Sequence, residues 1–143
     1  MKRKDNVSKH SKTGKTGTNG SAASKQSRIT KDFTFSEFKK IADKMDLTQK
    51  EWSDVLHISE RTLQRYSKDN SAFNFPVIDR ILLIEKVFKK GIDVFGNAND
   101  FLAWLKAGPV SIEGKLGFSS LASFDGTVKI LNQLGRFEHG ILA

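Results

Sequence analysis

From Phe33 onward, apolar residues return along the chain at helical intervals. Phe35, Phe38, Ile41, Ala42 and Met45 share one face of a helix, with Ser36 as its candidate cap. Thr48-Gln49-Lys50-Glu51 has the form of a capping box, in which the Thr hydroxyl takes the amide three residues on and the Glu reaches back. It opens a short helix to about Leu56, with Trp52, Val55 and Leu56 facing in. His57-Ile58 makes a turn. Ser59 offers a second N-cap, followed by a helix with Leu63 and Tyr66 inward. Phe73-Asn74-Phe75-Pro76 reads as a linker. Next comes a strongly apolar helix from Val77 to about Lys90, ended by Gly91. Its apolar residues at 77, 78, 81, 82, 83, 84, 87 and 88 cover more than one face, so it should be buried on two sides, between two halves of the protein or in a dimer.

The pattern continues with Asn97 as a cap, Asp100 at the box position, and Phe101, Leu102, Trp104 and Leu105 as core. Gly108-Pro109 stops that helix. Residues 110–117 read as a loop. A last helix from about Asp125 to His139 turns Val128, Leu131, Leu134 and Phe137 inward, and Gly140 terminates it. Strand alternation is weak and confined to Asp93-Val94-Phe95. The expected fold is all-α, with an N-terminal helix-turn-helix module, a small C-terminal helical module and a tail before them.

Charge sets the tail apart. Residues 1–32 hold nine of the 24 Lys+Arg, against Asp5 and Asp32, so this stretch carries +7 of the formal +8. Its only apolar residues are Met1, Val7, Ala22, Ala23 and Ile29, too few to offset the entropy of ordering, so disorder is expected there. A basic arm of this kind can follow nucleic-acid phosphates, or can simply keep a chain soluble. Gly14-Lys15-Thr16 resembles the end of a phosphate-binding loop, but position 9 is Lys and nothing strand-like precedes it.

Several classes of chemistry are excluded. The chain has no Cys, hence no disulfide framework, thiolate zinc site or cysteine nucleophile. Its three His (His10, His57 and His139) are far apart, so no metal or cofactor is expected. No Ser or Thr has a nearby His–acid pair, and an enzyme is not expected. The longest apolar run, Ile81-Leu82-Leu83-Ile84, is far short of the ~20 residues of a membrane span. No apolar stretch follows the basic start as a secretory signal would require. The expected location is cytoplasmic.

What lifts residues 49–68 above an ordinary helical hairpin is their full spacing. Leu56 closes the first helix inside, His57 turns, Ile58 points in, Ser59 caps, and Leu63 and Tyr66 hold the second helix across the first. The outward face then offers Ser59, Glu60, Arg61, Gln64 and Arg65. Arg suits guanine edges, Gln adenine edges, and Glu can accept from cytosine. Gln49 and Lys50 at the start of the first helix, with Thr62, are placed for phosphates. The module is not strongly basic: Lys50, Arg61, Arg65 and Lys68 are matched by Glu51, Asp54, Glu60 and Asp69. In the C-terminal half, Arg136, Glu138, His139 and Gly140 stand at a helix end. They can project toward a partner or form a solvated last turn favoured by the helix dipole.

Leu47-Thr48-Gln49, then Leu56 through Tyr66, resembles the Xre-type helix-turn-helix of bacterial regulators. Val94-Phe95-Gly96, Ala103-Trp104-Leu105, Leu121, Gly126, Val128 and Leu134 through Gly140 are similar to the toxin-binding domain of Xre/MbcA/ParS antitoxins. Together the stretches span about residues 33–143. Ser53 fits the small residue of the first helix; His57 stands where Gly is usual, implying a positive φ; Gly117 stands where Pro is usual. Beyond the tail at 1–32, which lies outside it, the resemblance implies a DNA-binding module at 33–75 and a linking helix with a toxin-binding domain at 76–143. It implies a type II antitoxin that represses its own operon and neutralises a RES-type, NAD-consuming toxin, with Arg136, Glu138, His139 and Gly140 at the toxin; a homodimer is expected because one helix-turn-helix offers DNA little surface. The alternatives are a stand-alone repressor whose C-terminal half only dimerises, and an interaction module whose helix-turn-helix no longer reads DNA.

Overall fold

The computed structural model describes residues 33–140, and the expectation for residues 1–32 lies outside them. The described residues form six α-helices: α1 (Phe35–Ala42), α2 (Gln49–Leu56), α3 (Glu60–Asp69), α4 (Phe75–Phe95), α5 (Ala98–Lys106) and α6 (Phe124–Glu138). Between α5 and α6 lie strands β1 (Val110–Ser111) and β2 (Gly114–Lys115), paired antiparallel, and a 3-10 helix, Phe118–Ala122. The fold is all-α, as the spacing indicated.

Local chemistry fixes most boundaries. Thr48 and Glu51 make the reciprocal capping box on α2, and Ser59 caps α3 through the Thr62 amide. Asn74, Asn97 and Ser123 cap α4, α5 and α6 in the same way. The cap of α1 differs from expectation. Its N-cap is Thr34, with no side-chain bond, and Ser36 is a first-turn residue whose amide and hydroxyl both donate to Asn70 Oδ1 at 2.9 Å. Asn70 closes α3 in the left-handed conformation, so one residue ends α3 and caps α1.

The largest correction concerns α4. Gly91 does not end it; the helix runs on to Phe95 and stops at Gly96, which takes φ +95°. Gly91 is buried inside the helix, and a Cβ there would meet the Phe101 ring at 2.4 Å. It is needed for the close approach of α5, not for a turn. The weak strand signal at Asp93-Val94-Phe95 is the last turn of the same helix. The loop at 110–117 contains the short hairpin.

Buried Ile78, Ile81, Ile84, Val87 and Phe88 pack α4 against α2, α5 and α6, while Leu82 stays 44% exposed. The two-sided burial thus comes from sitting between the halves of the chain. Phe73, expected in a linker, is a core residue 1% exposed, edge-on to Phe38, Tyr66 and Phe33. A second aromatic group joins Phe88, Phe95, Phe101, Trp104 and Phe137. One hydrophobic core connects both, from Phe38 to Leu134. In α6 the inward face is rotated from the expected stripe: Thr127, Ile130, Gln133 and Leu134 are buried, whereas Val128, Leu131 and Phe137 are half-buried.

Candidate functional site

The helix-turn-helix is built as its spacing requires. His57 turns the chain at φ 56° and ψ 37°, and buried Ser53 donates its hydroxyl to the Ile58 carbonyl at 2.5 Å, tying the turn to α2. Gln49 donates to the Glu60 carbonyl at 3.2 Å, holding the start of α2 to the start of α3. Leu63 is buried and Tyr66 half-buried, so α3 presents the opposite side to solvent.

On that side Arg61, Gln64 and Arg65 are exposed, together with Glu60 and Ser59. Among the described residues, no carboxylate lies within ion-pair distance of Arg61, Arg65 or Lys68. Arg65 lies over the Tyr66 ring at 5.6 Å. A groove of about 440 Å³ is lined by Arg61, Thr62, Gln64, Arg65, Lys68 and Asp69. Ser59 and Thr62 are engaged with each other at 2.8 Å as well as in the cap, so their hydroxyls support the helix start rather than project freely. Lys50 is exposed and paired with Asp54 at 3.2 Å. Lys68, not among the residues expected to meet DNA, is exposed and lines the same groove, on the 61/64/65/68 face of α3.

At the other end of the chain the four expected residues separate into two kinds. Arg136 is folded back: its guanidinium meets Glu113 of the hairpin at 3.5 Å and Gln133 at 3.3 Å, and Asn132 donates to the same carboxylate. Glu138 pairs with Lys90 of α4, and that ammonium, through its hydrogen bond and its charge, holds the Glu138 carboxyl below its ordinary value. His139 and Gly140 are exposed beyond the last helical turn. Val110 and Ile112 of the hairpin are exposed apolar side chains that no sequence pattern picked out.

Two polar contacts join the helix-turn-helix to the C-terminal half, besides the shared core. Glu51 uses one carboxylate oxygen for the Thr48 amide and the other for Lys106 at the end of α5. Burial alone would raise this carboxyl, but the hydrogen bonds from Lys106 and Thr48 and the Lys106 charge together leave it below its ordinary value. His57 Nε2 meets the Ala122 carbonyl at 2.6 Å, across 65 residues of sequence.

Among the described residues, no group of three His, Asp or Glu is placed to hold a metal, and no helix is long and apolar enough to cross a membrane.

Residues 33–85 match the family model of the antitoxin Xre-like helix-turn-helix domain. This stretch is therefore a helix-turn-helix of the kind found in Xre-like antitoxins. The match ends within α4 and does not reach α5, the hairpin or α6. A search of curated proteins gives no match.

Proposed function

We propose that the chain is the antitoxin of a type II toxin–antitoxin pair, acting in the cytoplasm as a homodimer. It binds operator DNA with α3, represses its own operon, and neutralises a cognate RES-type, NAD-consuming toxin with its C-terminal half. No cofactor and no catalysis of its own are part of this reading. The observation that carries it is the exposed face Arg61–Gln64–Arg65, whose two guanidiniums pair with no carboxylate among the described residues, on a helix-turn-helix that matches the Xre-like antitoxin domain. Arg and Gln have the planar, bidentate donors that base edges require. Dimerisation follows from the small surface one such module offers DNA and from its balanced charge. The toxin assignment rests on the resemblance of residues 94–140 and on the exposed end of α6.

Two experiments test this. Arg61→Ala/Arg65→Ala should weaken operator binding by ~1–3 kcal/mol for each base edge no longer read, with unchanged thermal melting; equal binding refutes the DNA face. Co-expression with the product of the adjacent gene should restore growth and give a co-purifying complex. Arg61→Ala/Arg65→Ala should still rescue. Arg136→Glu, or truncation after Phe137, should not. Rescue by both of the latter, as soluble proteins, moves the toxin contact elsewhere.

A further inference from the structure

Two non-glycine residues among those described have positive φ, His57 and Asn70. Left-handed backbone is costly for a residue with a Cβ and is kept where something else demands it. At Asn70 the demand is visible: its side chain caps α1. The analogous demand at His57 is its contact with Ala122. A carbonyl oxygen only accepts, so Nε2 carries the hydrogen and donates it. Ala122 is the last residue of the 3-10 helix, where carbonyls lack partners within the helix. The neighbouring Leu121 carbonyl is approached by Arg80 of α4 at 3.5 Å. The end of the 3-10 helix is thus held by one side chain from the helix-turn-helix and one from the central helix. The segment is itself firmly seated. Leu121 is fully buried, and Gly126 lets α6 lie so close that a Cβ would meet the Ser120 carbonyl oxygen.

Glycine would be the easier residue at position 57 if only the turn mattered. We propose that His57 is a positioning residue for DNA reading: through its bond to Ala122 it sets the turn between α2 and α3 on the C-terminal half. The angle at which α3 meets DNA then depends on the 3-10 helix 118–122, outside the helix-turn-helix itself. The proposal rests on the DNA-binding reading above and adds a residue that touches no base. By reciprocity, a ligand that shifts the 3-10 helix changes operator affinity, and operator binding changes affinity for that ligand by the same factor.

Three full-length variants decide it, titrated against duplex DNA from immediately upstream of the chain's own coding sequence. His57→Gly removes the bond and relieves the backbone. His57→Asn tolerates the backbone but is too short to reach Ala122. His57→Gln retains an N–H donor at comparable reach. Affinity should fall about tenfold for Gly and Asn and return most of the way for Gln, a coupling of ordinary size. Thermal melting separates this from a folding defect, since His57→Gly should melt no lower than the parent. Parental affinity in the Gly and Asn variants overturns the proposal. So does an equal loss in all three, which would place the imidazole itself on the DNA. If the unaltered chain does not bind the duplex, the DNA reading fails and the proposal falls with it, a result distinct from binding by parent and variants alike.

Discussion

Gly91→Ala should destabilise the protein, although it replaces the second-worst helix former with the best. In an open helix interior the exchange gains about 1 kcal/mol. Here the added methyl would lie 2.4, 2.5 and 2.6 Å from Cγ, Cδ1 and Cδ2 of Phe101. Ordinary contact begins near 3.4 Å, so the ring or the helix must move by roughly 1 Å. Phe101 has no exposed surface and is flanked by Phe88, Phe95 and Trp104 at centroid distances of 5.1, 6.0 and 6.1 Å. Buried among these three rings, Phe101 puts the overpacking at the upper end of the ~1–3 kcal/mol range. The net is a loss of about 2 kcal/mol, a fall in Tm of about 8 °C at ~4 °C per kcal/mol for a domain of this size. Circular dichroism melts or urea titrations read it directly. Gly135→Ala supplies the contrast: that glycine also lies inside a helix, but nothing stands within 4 Å of its added Cβ, so its Tm should rise. Trimming the ring in Gly91→Ala/Phe101→Leu should recover part of the loss as a favourable coupling. A rise in Tm for Gly91→Ala alone would refute the packing argument.

Two further outcomes are expected. Because the folded Glu51 carboxyl is held below its ordinary value, its contribution is present above the unfolded pKa and disappears as pH falls through the folded one; Glu51→Gln should therefore flatten the acid limb of stability, and an unchanged limb counts against the Lys106 contact. Removing residues 1–31 takes away nine basic side chains, so if they meet phosphates the log–log salt slope of operator affinity should become shallower by several units, at ~0.9 per phosphate met; an identical slope leaves the segment no part in binding.

What could be read from the chain was what local chemistry decides. Thr48/Glu51, Ser59 and Asn97 act on neighbours three residues away, and all three caps stand where the spacing put them. The positive φ of His57 followed from a motif position where Gly is usual. What could not be read depends on a distant partner. Gly91 looks like a helix end in any local window; only Phe101, ten residues on and in another helix, makes it an interior contact. Ser36 looks like a cap because its real partner, Asn70, is 34 residues away. The face of α6 was misplaced because Thr127 and Gln133 are buried polar residues. Thr127 bonds to the Ser123 carbonyl and Gln133 accepts from Arg136, so each satisfies itself inside the fold. Arg136 looked free because its partner Glu113 sits in the hairpin, where no periodicity marks it.

The same distinction bears on whether the N-terminal and C-terminal halves are separate units. A break at Phe73–Pro76 suggested modules that fold apart, but Phe73 and Ile78 are each 1% exposed on either side of it. The core continues through α4 into Leu105, Leu121 and Leu134. Cutting α4 near Phe88 would strip buried Ile78, Ile81 and Ile84 from the C-terminal half. The chain should therefore unfold as one cooperative unit. Its two tryptophans make this measurable, since Trp52 lies in α2 and Trp104 in α5. Fluorescence of Trp52→Phe reports the C-terminal half and that of Trp104→Phe the N-terminal half. Each should give a urea transition coincident with the loss of helix in the same variant, as two-state unfolding requires. If the Trp104 signal survives to a higher urea concentration than the Trp52 signal, the halves are separable, and partner binding would not need the helix-turn-helix to be folded. Coincidence has the opposite consequence. Any partner that binds α6 then stabilises the helix-turn-helix as well, by an amount set only by its concentration and affinity for the folded chain.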